Sequence, residues 1–477
     1  MKNWKNALFL FFIICLGGFL RLYKIGDLAV FLSDQASDST KVLAMTRGHL
    51  TLLGPITSVG GFYNGPVVYY LMLPFYYFFK GDPLSGTAFQ TFFQIITIPF
   101  IYLIGKKLKN NTVGLLAAFF FAISPLMIDY SRAAFNSYPA IFFSTLILYL
   151  NLLVIDTRST SLAFFMGILI GFIIQMHYFA AAFIIVAFLY PFFLEKKLIS
   201  LKYFFVLSLG IIIGFSPFLI FEVRHGFLNI NLFLKYLGSQ TKSAKSILFN
   251  LYIWPQTTGM LIFGENFIFG LLGFLTVMIS SIILYIKKQI KKDYFLLFAF
   301  LFVIVFAIGQ AYGGLMQHHY IISFHTSLII LSALTVYFLL KKNIFLISLF
   351  CFLVFLINMP RWNLEKTRHP IQKGLAIVDF KKAASIIHDD KKGIYNVAMH
   401  NQGDNRAMPL RYMLLLINEH PLDYEHYGEA GELYFIIPKS EKLTGQTMWE
   451  YTSFGPSKTV NIWKINNDYL LYKLAKK

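Results

Sequence analysis

Along the chain, apolar runs alternate with short polar connections, and most runs have the length of about 17 to 25 residues that a helix needs to cross a bilayer core. They centre on residues 7–22, 87–105, 113–130, 138–155, 162–176, 178–194, 203–221, 266–286, 294–312, 320–340 and 343–358, which predicts eleven transmembrane helices. The run 66–79 is different. It is only fourteen residues long, contains Pro74 and is rich in tyrosine, so it predicts an interfacial or re-entrant helix. After residue 360 the pattern changes to polar residues interleaved with short apolar stretches. There the periodicity predicts a helix over 376–387, a strand over 394–398, a helix over 406–418 and strands over 433–438, 459–465 and 469–474. The predicted fold is an α-helical multi-pass membrane domain over 1–359, followed by a small soluble α/β domain over 360–477.

Basic clusters set the orientation. Lys106-Lys107-Leu108-Lys109, Glu195-Lys196-Lys197, Lys287 to Lys292 and Lys341-Lys342 all lie between apolar runs. With a cytoplasmic N-terminus and a non-crossing run 66–79, all four fall on the cytoplasmic side, as the excess of lysine and arginine in cytoplasmic loops requires. Counting 66–79 as a span would place the first cluster outside and invert every later one. The C-terminal domain and the polar loop 23–86 are then extracytoplasmic, in a multi-pass protein of the plasma membrane. The same face collects Ser131-Arg132 with Asn136, His177-Tyr178, Glu222 to His225, the stretch 226–265 and Gln317-His318-His319-Tyr320. Ionisable groups at the membrane border are costly to hold there, which makes these residues functional candidates.

The chain is 57% hydrophobic and 14% charged, far from soluble proteins, in which about 25% of residues are charged. Its formal charge of +19 sits mainly in the short inner clusters, where it meets anionic lipid and not nucleic acid. Cys15 and Cys351 lie inside apolar runs, so neither a disulfide nor a thiolate metal site is expected. The first run follows Met1-Lys2-Asn3-Trp4-Lys5-Asn6 and precedes Arg21 without a small-residue cleavage signal, so it is expected to stay as an uncleaved span. There is no glycine-rich phosphate loop and no zinc-ligand spacing.

Chemistry concentrates in the loop 23–86. If residues 34–47 are helical, Ser33 can cap the N-terminus and Gly48 can end it, and Asp34 and Asp38, four residues apart, share one face. The plain alternative is a pair of charges favoured by the helix dipole in a solvated loop. Asn64 lies in a glycine-rich turn, Gly60 to Pro66, just before the tyrosine-rich run. Tyr69, Tyr70, Tyr76 and Tyr77 of that run read as an interfacial aromatic belt and not as part of a site.

The order Arg21-Leu22-Tyr23, Ser33-Asp34-Gln35 with Asp38, Gly48-His49-Leu50, Leu52-Leu53-Gly54-Pro55, Gly65-Pro66-Val67-Val68-Tyr69-Tyr70 and Tyr130-Ser131-Arg132 resembles the multi-spanning GT-C glycosyltransferases. It is most similar to the bacterial group related to protein O-mannosyltransferases and the aminoarabinose transferase of lipid A. The likeness runs from the N-terminus to about residue 360 and is strongest over 21–140. It implies a GT-C fold, a sugar on a polyprenyl phosphate as donor, an acceptor glycan, lipid or protein, and Asp34 acting near the acceptor. The family often has an Asp-Glu pair where this chain has Asp34-Gln35, which shifts attention to Asp38.

A polyprenyl phosphate leaves readily, so such a reaction needs a base for the acceptor proton and cations for the departing phosphate. Asp34 and Asp38 are the catalytic candidates. Arg132, Arg224, His225, His318 and His319, with Asn64, are the substrate-binding candidates, arginine because its fork matches phosphate oxygens. The alternatives are snorkelling for the arginines and interfacial hydrogen bonding for His177, His318 and His319. Glu222 and Asp129 can form local ion pairs with Arg224 and Arg132. His318 and His319 do not suggest a metal site, since adjacent helical side chains diverge by about 100°. No organic cofactor is implied, and a divalent cation is left open. Two other classes share parts of this pattern: a transporter or flippase of a lipid-linked saccharide, and a polysaccharide polymerase or ligase whose catalytic loop would be 226–265.

Cysteine-accessibility labelling should place residue 110 inside and residues 45, 240 and 400 outside. A cytoplasmic C-terminus would contradict both the eleven crossings and the non-crossing status of 66–79.

Overall fold

The computed structural model describes residues 3–196, 200–240, 243–365, 374–401, 403–443 and 446–477. Among them, eight helices are long and apolar enough to cross a membrane, from Trp4–Leu22 to Ile344–Arg361. The run expected as one span over 113–130 is a bent pair, Asn111–Ile123 and Pro125–Ser131, meeting at 59°. Ser124 causes the break. The residue before a proline is pushed out of the helical region, Ser124 is extended, and its Oγ accepts the Met127 N–H to start the second piece. The runs 162–176 and 178–194 form shorter apolar helices, Thr160–Met176 and Tyr178–Phe193, and 66–79 forms Val67–Phe78. The stretch 226–265 is also helical, as Leu228–Ser239 and Ala244–Ile262.

Close packing inside the bundle relies on small residues. Gly167 and Gly171 meet Gly210 and Gly214 of Leu201–Arg224, and a Cβ at Gly210 would stand 2.2 Å from the Phe164 carbonyl oxygen. This is the small-xxx-small contact by which helices associate in lipid, where apolar surface gives no net drive.

The break at Ser124 leaves the last carbonyls of Asn111–Ile123 short of their usual helical donors, Phe121 O keeping only the Ser124 N–H at 3.4 Å, in a buried part of the bundle. Arg21, fully buried, donates from Nη1 to the oxygens of Gly17 (3.0 Å) and Ala122 (2.9 Å) and from Nη2 to Phe121 (3.2 Å). Trp362 Nε1 donates to Ile123 O at 2.8 Å. Arg132 in turn donates to Trp362 O (2.8 Å), Asn363 O (3.2 Å) and Leu20 O (3.0 Å). Guanidinium groups suit this place because the helix C-terminus carries the negative end of the dipole.

The C-terminal domain holds a four-stranded sheet of β1 (Tyr395–Met399), β2 (Glu432–Pro438), β3 (Ser457–Lys464) and β4 (Tyr469–Lys476) in the order β1-β2-β4-β3. β1 and β2 are parallel and the other pairings are antiparallel. Helices Ile377–Asp390 and Met408–Leu416 accompany it, and a short helix, Trp449–Phe454, has no counterpart among the expected elements. One hydrophobic cluster joins this domain to the loop beneath, running from Ala29, Phe31, Val42 and Leu43 through Val68 and Met72 to Phe380, Leu410 and Tyr412.

Arg21→Leu should lower the thermal transition in detergent markedly, since each buried carbonyl left without a donor costs about 1–3 kcal/mol. An unchanged transition would mean that water reaches the break.

Candidate active site

The acid helix spans Ser33–Thr46. Its N-cap is Leu32 and not Ser33: the Leu32 N–H donates to Gln35 Oε1 at 3.0 Å. Gln35 therefore secures the helix start. Gly48 follows the helix end with φ of +95°, a conformation that favours glycine. The approach is fixed by Val30, whose N–H donates to Arg132 O at 2.9 Å, forming a parallel bridge with Ala133.

Tyr69 and Tyr76 of Val67–Phe78 are buried against this helix. Tyr69 Oη donates to Asp38 Oδ1 at 2.6 Å, and Tyr76 Oη bonds Ser39 Oγ at 2.6 Å. The expected aromatic belt is therefore two faces of one helix. Tyr77 is 71% exposed, as a belt residue would be, while Tyr69 is 3% exposed and Tyr76 1%. The seven-residue spacing of Tyr69 and Tyr76, with Met72 between, was the available signal that they share an inward face.

Asp34 is exposed and Asp38 buried, yet both line one cavity of about 780 Å³. Burial pushes the Asp38 carboxyl up to about 7, the Tyr69 hydrogen bond opposes this, and the charge of Asp34 adds to the rise. Asn64, His177 and His319 line the same cavity, together with Tyr138, Tyr178, Phe233, Tyr236, Tyr312 and Tyr320. No lysine or arginine appears among its described lining residues. The rings of His177 and His319 lie edge to face, with centroids 5.4 Å apart.

Part of the wall is a hairpin in the first loop. Ile56 bridges Tyr63, Gly54 N–H donates to Asn64 O, and Asn64 N–H donates to Pro55 O. Asn64 Nδ2 also donates to Pro55 O at 3.3 Å. A Cβ at Gly54 would stand 2.1 Å from Gly65 O, so that position accepts only glycine. Glu222, on Leu201–Arg224, holds the hairpin through Asn229. Its Oε1 accepts from Asn229 Nδ2 (2.9 Å), and Asn229 Oδ1 accepts the Tyr63 N–H (2.9 Å). Glu222 is thus turned inward towards Asn229 and Ile230.

A second cavity of about 330 Å³ shares the walls Phe135, Tyr138, Gln317 and His319 and adds Asp129, Arg132 and His318. His318 Nδ1 lies 2.8 Å from Thr257 Oγ1. His325, not singled out in the sequence, is fully buried with Nε2 3.0 Å from His318 O. Asp34, Asp38, Asn64 and His319 therefore come together, and Arg132 and His318 adjoin them. Arg224 and His225 line neither cavity; both are exposed at the end of Leu201–Arg224, with His225 stacked on Phe221 at 4.0 Å. Among the described residues no group of three or more His, Cys, Asp or Glu could hold a metal ion.

Residues 63–221 match the family of dolichyl-phosphate-mannose-protein mannosyltransferases. ArnT from Cupriavidus metallidurans, solved with undecaprenyl phosphate, is similar over 99% of this chain and 98% of its own, with a TM-score of 0.65 at 9% identity. Its apo form is similar over 98% and 97%, with a TM-score of 0.63 at 10% identity. The archaeal oligosaccharyltransferase AglB from Archaeoglobus fulgidus, solved with an inhibitory peptide and a dolichol-phosphate, is similar over 92% of this chain and 69% of its own, with a TM-score of 0.58 at 11% identity. No curated protein sequence matches the chain. The family match is confined to residues 63–221, while over nearly the whole chain the fold is similar to that of ArnT, with eight helices long and apolar enough to cross a membrane among the described residues.

Tyr69→Phe removes the hydrogen bond that holds the Asp38 carboxyl down. Asp38 should then ionise at higher pH, and any limb of the pH–rate profile that depends on it should move upward. An unmoved profile, with turnover intact, would reduce the Tyr69 contact to packing.

Proposed function

We propose that the protein transfers a sugar from a polyprenyl-phosphate donor to an acceptor hydroxyl on the outer face of the cell membrane, with inversion at the anomeric carbon. The observation that carries this reading is the pair Asp34 and Asp38 lining one cavity with Asn64, His177 and His319, walled by aromatic rings. The lipid phosphates bound by ArnT and AglB support the donor class. The orientation rests on the basic clusters, with the N-terminus cytoplasmic and the C-terminal domain outside.

Asp34 is the general base. Exposed in the cavity, it takes the acceptor proton as the acceptor oxygen bonds to the anomeric carbon; the bond from that carbon to the phosphate oxygen breaks, and its electron pair leaves with the phosphate. Attack from the side opposite the leaving group gives inversion. Asp38, buried and bonded to Tyr69, orients the acceptor or the helix. The acceptor is a glycan, lipid or protein hydroxyl.

The phosphate end falls to His318 and His319 with the neighbouring Gln317, because the Arg132 guanidinium is already engaged with three backbone carbonyls. Donors fixed in a low-dielectric cavity stabilise developing charge without reorganising at the moment of reaction. Exposure of Arg224 and His225 supports a place in the lipid head-group layer.

The test is purified protein with a panel of polyprenyl-phosphate sugars, with released lipid and product identified by mass spectrometry. Asp34→Asn should lower turnover by about 10²–10⁴ with donor binding and stability near wild type, and Asp38→Asn should be milder. A nucleotide sugar serving as sole donor, or full activity in Asp34→Asn, would overturn the reading.

A further inference from the structure

Three sets of contacts fasten the C-terminal domain to the back of the acid helix. Tyr412, 1% exposed on helix Met408–Leu416, donates from Oη to Gly81 O at 2.6 Å. Its ring packs on Phe31, two residues before the acid helix, with centroids 5.6 Å apart. Gly81 is pressed between the two units. With φ of +75°, it is where the chain leaves Val67–Phe78, and a Cβ there would stand 2.8 Å from Leu43 of the acid helix, 3.4 Å from Leu416 and 3.5 Å from Tyr412 Oη. Lys381 pairs with Asp82 at 2.8 Å on the rim.

The acid helix is thus held on two sides. Tyr69 and Tyr76 grip Asp38 and Ser39 from within the membrane domain, and the face carrying Val42 and Leu43 packs into the cluster shared with Leu410, Tyr412 and Met413. Asp404, buried at the start of Met408–Leu416, accepts the Met408 N–H at 3.1 Å. It lies near enough to Asp34 for that charge to help raise its carboxyl to about 6, after burial as the larger cause. A helix whose far face belongs to another domain keeps its carboxylates in register only while that domain stays docked.

We infer that the C-terminal domain is a working part of the active site, and that Tyr412 is a positioning residue that sets the acid helix, and with it Asp34, against the cavity. This rests on the reading of Asp34 as the base. Misplacing a catalytic group by about 1 Å can cost as much as 10² in rate, so small slippage of this helix suffices.

The experiment compares kcat for full-length Tyr412→Phe and Tyr412→Ala, each made in the wild-type and the Asp34→Asn backgrounds. In the wild-type background Tyr412→Ala should lose about tenfold or more, and Tyr412→Phe, which keeps the ring and loses only the Gly81 bond, should recover most of that loss. In the Asp34→Asn background neither should cause further loss, because a base that is absent cannot be misplaced. Equal losses in both backgrounds would show a merely structural role and overturn the inference, as would unchanged kcat in the wild-type background. If Tyr412→Ala does not fold, Tyr412→Leu, which removes the ring on Phe31 and the Gly81 bond but keeps apolar bulk, carries the same comparison. Full activity in Asp34→Asn alone would remove the proposed base, and this inference with it, whereas an inactive Asp34→Asn with additive Tyr412 losses would leave the base standing.

Discussion

A helix broken inside a low-dielectric bundle must find donors for the carbonyls it exposes, and the break at Ser124 is where this requirement shapes the molecule. Arg21 and Trp362 supply the donors from opposite ends of the membrane domain. Arg132 then ties Leu20 to Trp362 through its side chain, while its backbone oxygen accepts from Val30. The end of the first span, the bent pair, the final membrane helix and the entry to the acid helix are thereby fixed to one another by backbone groups that cannot be left unpaired. The site inherits its geometry from this knot.

The chemistry that follows is lopsided. Carboxylates are gathered at the cavity, but its described lining holds no lysine or arginine. The buried arginines are used as scaffolding, so a phosphate in this site would be met by histidine, amide and hydroxyl donors. Such groups are polar without carrying a fixed charge, and holding them in a membrane border costs less than burying unpaired guanidinium groups. Aromatic rings form much of the rest of the cavity wall.

Much of the architecture was legible in the sequence because hydropathy and length report membrane helices directly. The acid helix, expected over 34–47, spans Ser33–Thr46, and β4, expected over 469–474, spans Tyr469–Lys476, since turn residues and period-two alternation are local signals. What stayed hidden is non-local. The bend at Ser124 lies inside a run that hydropathy reads straight through, although Pro125 marked it. Arg132 could be recognised as important, but its partners, Leu20 and Trp362, stand 112 and 230 residues away in the chain. Tyr69 and Tyr76 were hidden by an apolar helix with tyrosines on both faces. Arg224 and His225 looked equivalent to Arg132 in sequence, and only packing separates exposed from buried.

The central claim is that a carboxylate of the acid helix activates an acceptor hydroxyl against a polyprenyl-phosphate sugar. It is tested most directly by the stereochemistry of one turnover. With purified protein and a donor of defined anomeric configuration, nuclear magnetic resonance of the isolated product should show the opposite configuration, and the signal should vanish in Asp34→Asn. A product with retained configuration, or one formed as readily without the Asp34 carboxylate, would contradict the account.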